Sequence, residues 1–103
     1  MIKKHKIYNK IRRLLEQMRE MPGAFFGKKS IERLAFSISG YALCLYESGE
    51  IDENQPLPGF NEFVAQRYGI KSAHDWCSII NFYHPIEEDA FDTFFKLLDE
   101  FYE

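Results

Sequence analysis

The chain has 103 residues, 46% of them hydrophobic and 17% aromatic, and a formal net charge of −3. That size is one domain with a core of its own, and the apolar content excludes a disordered chain. The small net charge hides a split: residues 1–33 carry ten Lys/Arg and three Glu, a balance of +7, whereas residues 34–103 carry three Lys/Arg and thirteen Asp/Glu, a balance of −10.

The first periodic segment runs from about Lys4 to Glu20, with Ile7, Ile11, Leu14, Leu15 and Met18 at helical spacing. Pro22 and Gly23 end it, and the connector Gly23-Ala24-Phe25-Phe26-Gly27 reads as a turn whose Phe pair plugs the core. Ser30 is a natural N-cap for the second segment, whose stripe is Ile31, Leu34, Ala35, Ile38, Ala42 and Leu45. Phe36, Tyr41 and Leu43 make this helix apolar on further sides, so it is expected to be the central, most buried one. Gly40 then implies a close helix crossing, and Ser48-Gly49 ends the segment.

Residues 50–58 are acidic and irregular, the longest loop. A third helix is expected from near Pro58, carrying Phe60, Phe63, Val64 and Tyr68 and closed by Gly69. A fourth follows Ser72, with Asp75 three residues on as an approximate capping box and Trp76, Ile79, Ile80 and Tyr83 as its stripe. Pro85 separates it from a fifth, which opens with Glu87, Glu88 and Asp89 at the positive end of its dipole and buries Phe91, Phe94, Phe95, Leu98 and Phe101. The expected fold is all-α, a single domain over residues 1–103 built as a bundle of about five helices with little or no sheet.

Cys44 and Cys77 lie in apolar helical patterns and read as buried reduced thiols. Lys3, Lys4 and Lys6 lead straight into an amphipathic stretch with no apolar signal region, and no run is long enough to span a bilayer, so a cytoplasmic protein without a membrane role is expected. His74 and Cys77 share a helical face, but zinc sites normally show paired ligands, so no metal is expected. Cysteines flanked by Leu and Trp lack the open, polar setting of a nucleophile, and the carboxylate pairs sit in a loop and a first helical turn, where solvation is ordinary. No catalytic residue and no cofactor are therefore assigned. Lys3, Lys4, Lys6, Lys10, Arg12 and Arg13 could meet phosphates, but the acidic remainder repels a polyanion, and direct nucleic-acid binding is not expected. Carboxylates alternating with aromatics in the C-terminal half suit the binding of a basic protein.

Several segments carry a family likeness: Met21-Pro22-Gly23-Ala24-Phe25-Phe26-Gly27 with Gly40-Tyr41 after it, Leu57-Pro58-Gly59-Phe60-Asn61-Glu62-Phe63-Val64, Trp76 with Ile79-Ile80, and Phe94-Phe95-Lys96-Leu97-Leu98-Asp99-Glu100-Phe101. Together they resemble small helical bacterial immunity proteins of contact-dependent growth inhibition and related polymorphic toxin systems. The Pro-Gly-aromatic-aromatic-Gly element also looks like a segment of gyrase-type ATPases, whose ATP-binding residues this chain lacks. The immunity resemblance implies a non-enzymatic inhibitor that covers a cognate toxin C-terminal domain, expected to be a basic nuclease. The alternative is a protein-interaction or regulatory module without a toxin. The partner-binding face is expected at the acidic loop and the start of the last helix: Glu50, Asp52, Glu53, Tyr83, His84, Glu87, Glu88 and Asp92.

Overall fold

A computed structural model describes residues 7–102, and among these it forms six helices and no strand. They are α1 (Asn9–Glu20), α2 (Pro22–Phe26), α3 (Ile31–Glu47), α4 (Phe60–Arg67), α5 (Trp76–Tyr83) and α6 (Glu87–Tyr102). The all-α bundle is the architecture that the apolar periodicity implies. The additional helix is α2. Pro22 at its first position pre-sets the helical φ, and the connector closes one short helix instead of a plain turn. Gly27 ends it with φ +76°, a left-handed conformation that favours glycine. Phe26 is buried as a plug, whereas Phe25 stays exposed.

Ser30 caps α3 as expected, its side chain accepting a hydrogen bond from the Arg33 amide at 3.2 Å. At α5 the cap is Asp75 itself, accepting from the Ser78 amide at 2.9 Å, so the helix starts at Trp76 and not directly after Ser72. Lys10 near the start of α1 pairs with Glu50 beyond the end of α3, so α1 and α3 run antiparallel. α3 also packs on α5 and α6, and α4, α5 and α6 pack on one another.

The most buried helix is α6, not α3. Seven of its residues are buried: Ala90, Phe91, Phe94, Phe95, Leu97, Leu98 and Phe101. Its aromatic rungs meet Phe60 of α4, whose ring lies 5.7 Å from Phe94 and 5.1 Å from Phe101, both edge-to-face. Trp76 of α5 completes the cluster, 5.6 Å from Phe60 and 4.7 Å from Phe94. α3 buries one stripe, Ile31, Leu34, Ile38, Ala42 and Leu45, and leaves Phe36 and Leu43 exposed. The expectation that apolar residues on further sides meant all-round burial fails because α1, α5 and α6 together cover only that stripe. Gly40 is exposed, and a Cβ there would meet nothing within 4 Å, so no close crossing accounts for it.

Phe60→Ala should lower unfolding free energy by about 3–5 kcal/mol, the usual cost of emptying a core aromatic site. Phe36→Ala should change it by less than about 0.5 kcal/mol, because its ring is already in water. Urea denaturation followed by circular dichroism measures both.

Candidate functional site: an acidic groove between α3 and α5

The carboxylates singled out in the sequence fall into two groups. Glu50 pairs with Lys10 and accepts from Ser48 Oγ at 3.2 Å, and the Lys10 ammonium holds its carboxyl below the usual range. Asp52 accepts from the Tyr8 hydroxyl at 2.8 Å. Burial, followed by the Asp52 hydrogen bond and charge, pushes that phenol up to about 12. Glu53 accepts from Gln55 Nε2 at 3.0 Å. At the start of α6, Glu87 pairs with Lys28 at 3.1 Å and Asp92 with Lys29 at 2.9 Å, while Glu88 is exposed. Lys28 and Lys29 precede α3 and Glu50 follows it, so the length of α3, about 25 Å, separates the two groups. They are not one patch. Tyr83 stacks on Tyr68 with centroids 4.7 Å apart, and His84 Nε2 lies 2.8 Å from the Tyr68 hydroxyl.

The basic first third is likewise engaged within the fold. Arg19 makes a two-pronged pair with Asp99, at 3.0 and 2.9 Å, which holds its guanidinium more firmly protonated. Arg12 lies over the Tyr102 ring at 4.5 Å. Arg13 is exposed, and Lys3, Lys4 and Lys6 lie outside the described residues.

A larger concavity than any beside these residues lies between α3 and α5. Residues 54–57 fold back along the outer side of α3 and, with α5, enclose a groove of about 640 Å³. Phe36 and Leu43 form one wall, Leu57 and Trp76 the floor, and Cys77 and Asn81 the other wall. Among the described residues its charged lining is Glu32 and Asp75, with no Lys or Arg. A second depression of about 440 Å³, lined by Ile70, His74, Phe82 and Tyr83, meets the groove at Ser78. The flanking rings are among the most exposed large apolar side chains described: Phe36 at 79% and Phe82 at 77%. An apolar surface of this kind with an acidic rim is a common form of protein-binding site.

The sequence reading missed this site. Its signal is the angular offset of Phe36 and Leu43, seven residues apart and off the buried stripe of α3, and of Phe82, off the Trp76/Ile79/Ile80 stripe of α5. Asn61 was also missed. Its side-chain carbonyl accepts from the Trp76 amide at 2.8 Å and so ties the start of α5 to α4.

Both cysteines are free thiols, but neither is fully buried: Cys44 is exposed and Cys77 half-buried. Cys44 sits between the buried residues Ala42 and Leu45 but on the outer side of α3. Burial pushes the Cys77 thiol up to about 11, and the Asp75 and Glu32 carboxylates push in the same direction. That is opposite to the activation a nucleophilic cysteine needs. Among the described residues no three His, Cys, Asp or Glu side chains gather as metal ligands, and no helix is long and apolar enough to cross a membrane.

No protein-family model, curated protein or solved structure matches the chain.

The two thiols should separate kinetically. At pH 8 a thiol with a pKa of about 11 is only about 0.1% thiolate. A disulfide reagent should therefore titrate Cys44 first and Cys77 at least about tenfold more slowly, with both equally fast after denaturation. Cys44→Ser should remove the fast phase.

Proposed function

We propose that this chain is the immunity protein of a toxin–immunity pair. It is a non-enzymatic, cytoplasmic inhibitor that binds a cognate toxin C-terminal domain and covers its active or substrate-binding site. A basic nuclease is the favoured toxin, because such an enzyme grips a polyanion and an acidic protein can occupy the same surface. The observation that carries the reading is the acidic groove walled by exposed Phe36 and, meeting it at Ser78, the depression that holds exposed Phe82. Rigid aromatic anchors beside carboxylates supply both the apolar contact and the steering field that capture of a basic protein requires. The packed core and the Arg19–Asp99 ion pair tying α1 to α6 supply a preformed scaffold, which limits the ordering cost of binding. The resemblance of the aromatic and glycine-bearing segments to immunity proteins points the same way.

The test is co-expression with the toxin domain encoded beside this chain's gene. Cells making the toxin domain alone should stop growing, and cells making both should grow and yield a stoichiometric complex. Association measured by stopped flow should slow on the order of tenfold between low and high salt, with dissociation changing much less. Continued growth arrest despite a folded inhibitor would remove the reading and leave a protein-interaction or regulatory module without a toxin.

A further inference from the structure

We infer that the toxin domain docks on the α3–α5 groove, and not on the acidic loop or the α6 start, by inserting a basic segment that carries an apolar side chain. The inference rests on the immunity reading and adds to it the binding face and the chemistry of the segment bound.

The charge distribution makes this choice. Five ion pairs are formed among the described residues: Lys10–Glu50, Arg19–Asp99, Lys28–Glu87, Lys29–Asp92 and Arg67–Glu100. None of their ten residues lines the groove. Three of the six carboxylates that the sequence marks as partner-binding, Glu50, Glu87 and Asp92, are thus neutralised by the chain's own cations, and Asp52 and Glu53 already accept from Tyr8 and Gln55. A Lys or Arg arriving at Glu50, Glu87 or Asp92 must displace a cation already there, and the exchange gains little. At the groove no such exchange is needed. Glu32 lies outside the five pairs, and the neighbouring Arg33 turns its guanidinium to the Phe26 carbonyl. Among the described residues the groove is therefore negative with no cation of its own.

The apolar component follows from the same surface. Phe36 and Phe82 stand in water at no benefit to the fold, and each ring offers roughly 150–250 Å² for burial. Beside Phe36 the groove is lined by Trp76 and Leu57, which suit an aliphatic or aromatic tip more than a second carboxylate. A segment with an apolar residue flanked by Lys or Arg satisfies floor and rim together.

The experiment uses the full chain and an inactivated form of the toxin domain encoded beside its gene. Trp76 is the sole tryptophan of the chain. In the ¹⁵N-labelled protein its indole N–H resonance should move on adding the unlabelled toxin domain. Phe36→Ala and Phe82→Ala should each weaken binding about tenfold, and Phe36→Ala with Glu32→Lys about a hundredfold or more, as hot-spot residues do. Their melting curves should stay near the wild type, since both rings are exposed; Leu43→Lys gives an independent variant on the same wall. Glu88→Lys should bind as the wild type. Binding lost in Glu88→Lys but kept in the groove variants overturns the inference and leaves the immunity function standing. Failure of the wild-type chain to bind the toxin domain overturns both. A concentration-dependent dimer of the chain alone, dispersed by Phe36→Ala, also overturns it, because the groove would then serve a second copy.

Discussion

Phe60 is the point where α4, α5 and α6 meet. Its ring is fully buried and touches Trp76, Phe94 and Phe101 edge-to-face. α4 and α5 are eight residues each, too short to hold helical form in water by propensity alone. They persist because one side of each closes on this aromatic cluster and on the α6 stripe. Once α6 supplies that surface, α3 needs to contribute one stripe only. Its outer side is then left without a helical neighbour, and the 54–57 segment covers part of it. The exposed Phe36 and Leu43 follow from how the core is assembled, with α6 and not α3 as its centre.

The charge asymmetry plays a different part. Arg19, Lys28, Lys29 and Arg67 all reach α6, and Lys10 reaches Glu50, so cations from the first two-thirds of the chain meet carboxylates mostly from the last helix. The partners are substantially exposed, so each pair adds little to stability. Their larger effect is spatial. They gather the cations with matching carboxylates along α6 and at the far end of α3, and leave Glu32 and Asp75 to set the sign of the field at the groove. Glu50 gives the pH sense of this arrangement. Its carboxyl is depressed by Lys10, so the pair's contribution is present above the ordinary glutamate range and fades as pH falls through the lowered value.

Much of the fold was legible in the sequence. The 3.6-residue stripes of α1 and α6 locate their buried faces, and Ser30, Gly69 and Pro85 mark boundaries near where they fall. Local chemistry decides those features. The misread features depend on which surfaces other helices cover. Phe36, Leu43 and Cys44 sit in an apolar run that is compatible with burial on every side, and only the packing of α1, α5 and α6 shows that one side is left open. The pairing of the acidic residues was hidden for a related reason. Glu50, Glu87 and Asp92 look available in one dimension, but their partners Lys10, Lys28 and Lys29 lie 40 to 63 residues away. Long-range pairing is invisible to spacing. Of the residues chosen as partner-binding, Tyr83 alone lines the groove or the depression beside it.

Tyr83 and His84 are better understood through α5 than as anchors in their own right. At its start α5 is held twice, by the Asp75 cap and by Asn61 accepting from the Trp76 amide. At its end it is held through Tyr68, on which Tyr83 stacks and whose hydroxyl meets His84. A two-turn helix fixed at both ends presents Cys77, Asn81 and Phe82 in one orientation before any partner arrives. A wall fixed in advance carries less ordering cost into any association made there. The polar contacts that look like candidates for recognition thus act one step earlier, by shaping the surface that the exposed rings and Glu32 present.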